Sequence, residues 1–204
     1  PLAGIHGAMQ ILRRKLHPGP EEQKVFEDVA AEISRLDRLV SDLLRFGRPP
    51  APRLSRVELG LFLKEWAERM DREAAARHAR VNWSSSTQAA TRIDSILLEQ
   101  VLRNLFENAL EAAPGSCRIE VEMTRANGQA HITFRDDGPG VPPEIRNRVI
   151  EPFFTTKPRG SGLGLAICRR HLHSMGGSLT LLAAEKGAAF RLSLPLASKG
   201  KKMD

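Results

Sequence analysis

Asn104 and Asn108 stand four residues apart in a stretch with helical spacing, which puts two amide oxygens on one side of a helix. Asparagine is a poor helix-interior residue and is costly to bury without partners. Two on one side amid Leu105, Ala109 and Leu110 suggest oxygens aimed at a metal or a phosphate. Magnesium suits such hard donors, because it keeps several waters and takes one or two protein oxygens beside phosphates. Glu107 stands next to them and could orient a group or accept a proton. Downstream, Asp136-Asp137-Gly138-Pro139-Gly140 closes a strand-like run. A carboxylate there can accept a hydrogen bond from an exocyclic amine such as that of adenine, while Gly138 and Gly140 let the backbone turn tightly. Gly160, Gly162 and Gly164, with Leu163 among them, directly precede a helical pattern. Free N–H groups and the helix dipole make such a junction an anion site. Segment 141–161 could close over a triphosphate, with Lys157 reaching the phosphates.

Each signal has a plainer reading when taken alone: a solvated asparagine pair, an ordinary Asp-Gly turn, a loop lysine. The glycine spacing is neither the lysine-terminated phosphate loop nor a strand–GxGxxG–helix unit. With Glu151-Pro-Phe-Phe-Thr-Thr-Lys157 between the glycine groups, it is the four clusters in one order between residues 104 and 165 that point to a nucleotide site.

The elements that must position them follow from hydrophobic periodicity. Leu2, Ile5, Met9, Leu12 and Leu16 share one helical face, and Pro18-Gly19-Pro20 interrupts it. Val25, Val29, Ile33, Leu36, Val40 and Leu43 form the stripe of a second helix. Such a hairpin (1–48) covers its own stripe poorly, so pairing with a second copy into a four-helix bundle is expected, packing on its own chain being the alternative. A proline-rich joint, Gly47 to Pro52, precedes a second domain at 53–197, and a polar tail at 198–204 should fray. Within that domain the pattern predicts helices from Leu59 to about His78 and over 94–112, the latter facing inward with Ile96 or Leu97, Val101, Leu105 and Leu110. It also predicts strands at 80–85, 118–124 and 129–136, a loop at 84–91, a helix at 163–175 and two final strands at 178–183 and 188–194. Asn127-Gly128 is a hairpin turn. The fold class is α+β: an antiparallel helical hairpin, then a sandwich of helices on a mixed, mainly antiparallel sheet.

Composition sets outer limits. The 204 residues carry a formal net charge of +7, yet the basic residues are scattered, without aromatic interleaving or zinc-finger spacing, which weighs against nucleic acid. Cys117 and Cys168 read as small buried residues of a reducing compartment. The six histidines show no metal-ligand spacing and read as structural or solvated. No run is apolar enough to cross a bilayer and no signal peptide is present, so a cytoplasmic location is expected, with any membrane attachment through segments outside this chain.

Together these residues resemble the ATP-binding domain of the sensor histidine kinases of two-component systems, within the wider gyrase, Hsp90 and MutL group. Asn104-Leu-Phe-Glu-Asn108 is similar to the N box, Asp136 to Gly140 to the first glycine box, Glu151-Pro-Phe-Phe-Thr-Thr-Lys157 to the F box, and Gly160 to Gly164 to the second glycine box. The resemblance covers about residues 53–196. It implies ATP and Mg2+ as ligands: Asp136 on adenine, Asn108 and Asn104 on magnesium and phosphate, and a lid between the glycine boxes. In the hydrolysing relatives a glutamate stands at the place of Asn104. An amide cannot act as a general base, so transfer to a side chain fits better than hydrolysis, and Glu107 would help deprotonate the acceptor. Pro1-Leu-Ala-Gly-Ile5 resembles the residues after His-Glu-Ile-Arg-Asn in kinases similar to the nitrogen-regulation sensors. The phosphoacceptor histidine is then expected five residues before Pro1, and the role is not transferred to His6. The implied partners are a second copy and a response-regulator receiver domain, whose aspartate takes the phosphoryl group. A dimeric nucleotide-binding scaffold without kinase activity, and a gyrase- or MutL-type ATPase, are the alternatives.

Overall fold

The computed structural model describes residues 2–16, 19–47, 51–158 and 160–197. The expected turn residue Pro18, most of the proline joint (48–50) and the polar tail lie outside them. Helix α1, Leu2–Leu16, ends on Arg13, Arg14 and Lys15, and helix α2, Pro20–Gly47, begins with Glu21 and Glu22. Both charge sets oppose the helix macrodipole. At the start of α2, Glu22 accepts a hydrogen bond from the Gly19 backbone N–H at 2.9 Å. Along the expected stripe of α2 only Ile33 is buried, while Val25, Leu36, Val40 and Leu43 stay exposed. No described helix is long and apolar enough to cross a membrane.

The second unit is a layer of helices on a sheet. Strand β1 (Ser55–Glu58) leads into α3 (Leu59–Ala75), then β2 (Ala79–Ser85), β3 (Ala90–Ile93) and α4 (Ser95–Ala112). The hairpin β4 (Cys117–Ala126) and β5 (Gln129–Asp136) follows, then a 3-10 turn at Pro143–Ile145, α5 (Gly164–Ser174), β6 (Ser178–Leu182) and β7 (Ala189–Pro195). The main sheet has the order β2-β4-β5-β7-β6, and β2 with β4 is its parallel pair. Asn127 and Gly128 both have positive φ, 50° and 74°, as a tight hairpin requires.

Strands β1 and β3 correct the sequence reading, which had a loop across 84–91 and nothing regular at 55–58. They form a separate two-stranded sheet, each only four residues long. Segments this short give alternation too few repeats to register. The core lies between α3, α4 and the inner sheet face, where Trp66 meets Phe106 and Phe134 edge-on, both at 6.3 Å. Leu97 faces that core and Ile96 is 67% exposed, which settles the helix phase. Ion pairs at every fourth residue tie α3 and the turn after it to α4: Arg69 with Glu99, Glu73 with Arg103, and, just past the end of α3, Arg77 with Glu107. Cys117 and Cys168 are buried, and burial pushes their thiols up to about 11 and about 12, so both remain protonated.

Asp94 starts α4. Its Oδ1 accepts from the N–H groups of Ile96 (3.0 Å) and Leu97 (3.2 Å), and its Oδ2 accepts from Arg53 N–H at 2.8 Å. Burial raises the carboxyl pKa, but the three backbone donors outweigh it and hold the value below the ordinary range. The cap therefore stabilises the fold above the unfolded-state pKa and loses that contribution as pH falls through the lowered folded value. Asp94→Ala should cost about 1–2 kcal/mol in urea unfolding at neutral pH, with the difference from the parent shrinking in acid.

Candidate functional site

Helix α4 presents Asn104, Asn108 and Glu111 along one side, with Glu107 beside them. Asn108 Nδ2 donates to Asn104 Oδ1 at 3.0 Å, which commits the Asn108 amide nitrogen and turns its Oδ1 outward. That oxygen accepts from Lys157 Nζ at 3.0 Å. The same ammonium lies 2.5 Å from Glu111 Oε2. Glu107 has both oxygens engaged, Oε2 with Arg77 at 3.0 Å and Oε1 with Arg103 at 3.6 Å.

At the end of β5, Asp136 Oδ1 accepts from Gly138 N–H (3.0 Å) and Ala188 N–H (3.2 Å). Its other oxygen has no hydrogen-bond partner among the described residues. Burial raises the Asp136 pKa, the two N–H groups oppose that, and the charge of Asp137 adds to the rise. Asp137 behaves differently: it accepts from Arg118 N–H at 2.7 Å and meets Lys186 at 3.5 Å, and its pKa is lowered chiefly by the Arg118 bond. Of two adjacent acids, one borders the cleft and the other ties a surface turn. Glycines make the Asp136 corner possible. A Cβ on Gly187 would fall 1.7 Å from the Asp136 carbonyl oxygen, and one on Gly140 would fall 2.7 Å from the Gly187 oxygen.

The second glycine cluster is tied to the other motifs as closely. At Gly162, φ is +67° and an added Cβ would sit 2.4 Å from the Phe153 carbonyl carbon. A Cβ on Gly164, the first residue of α5, would lie 2.7 Å from the Asn104 amide. Gly160 approaches Thr155 and Lys157. A cleft of about 860 Å³ results, lined by Asn104, Glu107, Asn108, Asp136, Gly140, Lys157, Gly160, Gly162 and Gly164 among others. Two of the expected residues do not line it. Leu163 is buried, its N–H on Ser161 Oγ at 3.2 Å, and Gly138 contributes its N–H to Asp136.

Sequence reading missed Glu111, Phe190, Arg35 and Leu39 on the cleft wall. Glu111 was within reach, since it follows Asn108 by three and Asn104 by seven on one helical side. Arg35 and Leu39 come from α2, and no local pattern announces a long-range approach. The end of α2 also meets the F-box-like segment. Phe46 packs edge-on against Phe153 at 6.1 Å, and the Arg170 guanidinium lies 5.3 Å from the Phe46 ring and donates to the Phe46 carbonyl. Phe153 has φ +66°, a left-handed conformation unusual for an aromatic residue.

Among the described residues no group of three His, Cys, Asp or Glu could hold a metal alone. The amide oxygens of Asn104 and Asn108 nevertheless fit part of a magnesium shell that nucleotide phosphates and water would complete.

Residues 93–198 match the family described as histidine kinase-, DNA gyrase B- and HSP90-like ATPase, and residues 1–52 match the His kinase A phospho-acceptor domain. Sporulation kinase C of Bacillus subtilis (strain 168) is 30% identical over 201 residues, which is 97% of this chain and 46% of that protein. The chain thus spans under half the length of curated relatives such as this one. Full-length ShkA, solved in complex with AMPPNP, superposes with a TM-score of 0.78 at 27% identity, over 97% of this chain and 43% of its own. ThkA, solved in complex with the response regulator TrrA, shares the fold with a TM-score of 0.75 at 23% identity, over 98% of this chain and 59% of its own.

Gly162→Ala forces a methyl group onto the Phe153 backbone at a φ that L-residues avoid, so the 151–162 segment must shift. Limited proteolysis with chymotrypsin should show faster cleavage after Phe154 in this variant. Gly7→Ala, whose added Cβ meets nothing within 4 Å, should leave that cleavage unchanged.

Proposed function

The chain belongs to the histidine kinase-, DNA gyrase B- and HSP90-like ATPase family and has the transmitter-core architecture of sensor histidine kinases, and from that premise we propose that it binds Mg-ATP and moves the γ-phosphoryl group to a histidine imidazole, then to a response-regulator aspartate. The observation that carries this reading is the convergence of Asn104, Asn108, Asp136 and the N-terminus of α5 on one cleft.

Asp136 is held by Gly138 and Ala188 with one oxygen left for the exocyclic amine of adenine. Ile145, Val149 and Phe190 supply apolar wall beside it. Gly160, Gly162 and Gly164 bring backbone N–H groups and the positive end of α5 to the phosphates. Asn108 and Asn104 present amide oxygens to magnesium, which when bound neutralises charge on the transferring phosphoryl group. Lys157 adds a further positive charge in reach of the phosphates. Glu107 would take the proton of the attacking imidazole, which requires releasing an oxygen from Arg77 or Arg103. Asn104 is neutral and cannot activate water, which supports phosphoryl transfer over hydrolysis. A cytoplasmic location for this cycle is part of the same proposal.

The helix pair supports two partner assignments. Exposed Val25, Val29, Leu36, Val40 and Leu43 on α2, with Ile5 and Leu12 on α1, leave a stripe that a second copy would cover as a four-helix bundle. A receiver domain would then dock on the solvent face of that bundle.

Asn at position 136 keeps the oxygen that accepts from Gly138 and Ala188 but removes the buried charge. Asp136→Asn should therefore abolish saturable Mg-ATP binding in calorimetry while its Tm stays equal to or above the parent's. Loss of Tm alongside binding would make Asp136 a structural residue. Because burial raises the Asp136 pKa, the carboxylate needed for the amine is lost at a higher pH than for a free aspartate. Affinity should decline as pH falls through that raised value. Leu36→Glu, on the exposed stripe, should convert a dimer to a monomer in sedimentation analysis.

A further inference from the structure

Glu111 has no part in the roles assigned above, yet it makes the shortest charged contact in the cleft. Its Oε2 lies 2.5 Å from Lys157 Nζ, and that ammonium also donates to Asn108 Oδ1 at 3.0 Å. The lysine is held there by its own backbone: its N–H donates to Thr155 Oγ1 at 3.0 Å and its carbonyl accepts from Gly160 N–H at 3.1 Å. Asn108 has one amide atom committed to Asn104, so Oδ1 is its one oxygen available to a cation. That oxygen is the one the nucleotide reading assigns to magnesium. An ammonium and a divalent cation sharing it would stand within a few ångströms of each other and repel strongly.

We propose that Glu111 turns Lys157 into an internal cation that competes with the divalent metal for Asn108 Oδ1, so that metal arriving with a nucleotide displaces the ammonium, unties the F-box-like segment from α4 and frees Lys157 for the phosphates. The inference rests on the nucleotide reading above and adds a position-specific exchange to it. Glu111 holds the lysine in one arrangement, and the phosphates hold it in the other. Both partners are partly exposed, at 39% for Lys157 and 51% for Glu111, so the tie is weak enough to exchange and its removal should be read as a few-fold effect.

Two readouts test it. Without nucleotide, amide hydrogen exchange over residues 153–163 should rise about 2–5-fold in both Glu111→Gln and Lys157→Met, because either change cuts the tie. In calorimetry, Glu111→Gln should bind Mg-AMPPNP about 2–5-fold more tightly than the parent and metal-free AMPPNP equally well, since only the metal-loaded ligand must expel the lysine. Unchanged exchange in both variants overturns the proposal. Unchanged or weakened Mg-AMPPNP binding by Glu111→Gln also overturns it, weakening being the sign that the carboxylate serves the metal directly. Failure of the unmutated protein to bind AMPPNP at all would instead sink the nucleotide reading, and this proposal with it.

Discussion

The close approach of α5 to α4 is the constraint on which the cleft depends. No side chain fits at Gly164, because its first carbon would lie 2.7 Å from the Asn104 amide. That contact sets the positive end of α5 against the face of α4 that carries Asn108 and Glu111. Behind it the packing is firm: Cys168 donates its thiol to the Val101 carbonyl at 3.8 Å, and Leu102, Leu105 and Leu172 are almost wholly excluded from solvent. Interiors packed at crystal-like density transmit such displacements rather than absorb them. A larger residue at position 164 would therefore move the anion-binding end of α5 away from the amides, separating the phosphate end of the site from its cation end.

Two different physical devices hold the two ends of the cleft. The end near Asp136 is fixed by backbone geometry: Gly187, Gly140 and Asp136 interlock so tightly that each glycine lacks room for a methyl group. Its acceptor is prepared by burial, and the cost of the buried charge is offset by two backbone N–H groups. The end near Asn108 is fixed by exchangeable charges instead, with Lys157, Glu111, Arg77 and Glu107 all partly exposed. One end is rigid and suits recognition of a flat base. The other can be rearranged by a cation, which suits phosphates whose charge changes during transfer.

These devices differ in how legible they are in the sequence. Asn104, Asn108, Asp136 and the glycines could be read because each is a residue type out of place for its local pattern. The helices of the second unit and the β4–β5 hairpin could be read because periodicity and Asn127-Gly128 report on neighbours in the chain. Strands β1 and β3 escaped because four residues give no period, and what stabilises them is mutual pairing plus burial of Thr91 and Ile93. Gly187 escaped as a site residue because its requirement comes from Asp136, which lies far from it in sequence. The ion pairs joining α3 to α4 escaped for the same reason: a charge on an amphipathic helix looks solvated until its partner's helix is placed.

Contacts between the helix pair and the second unit follow the same long-range logic and extend it. Arg35 and Leu39 border the cleft, so one wall of the site belongs to α2. Further along, the Phe46 carbonyl, an acceptor near the end of α2 that the helix itself leaves unpaired, is satisfied by Arg170 of α5. The ring of Phe46 rests on Phe153, whose left-handed backbone in turn requires Gly162 to lack a side chain. A rotation of α2 thus cannot leave Phe153 where it is without losing the ring contact. Nor can Phe153 move without disturbing Gly162, two residues ahead of the start of α5. The helix pair and the anion-binding end of the cleft are therefore joined by one short chain of contacts that runs from Phe46 through Phe153 to Gly162.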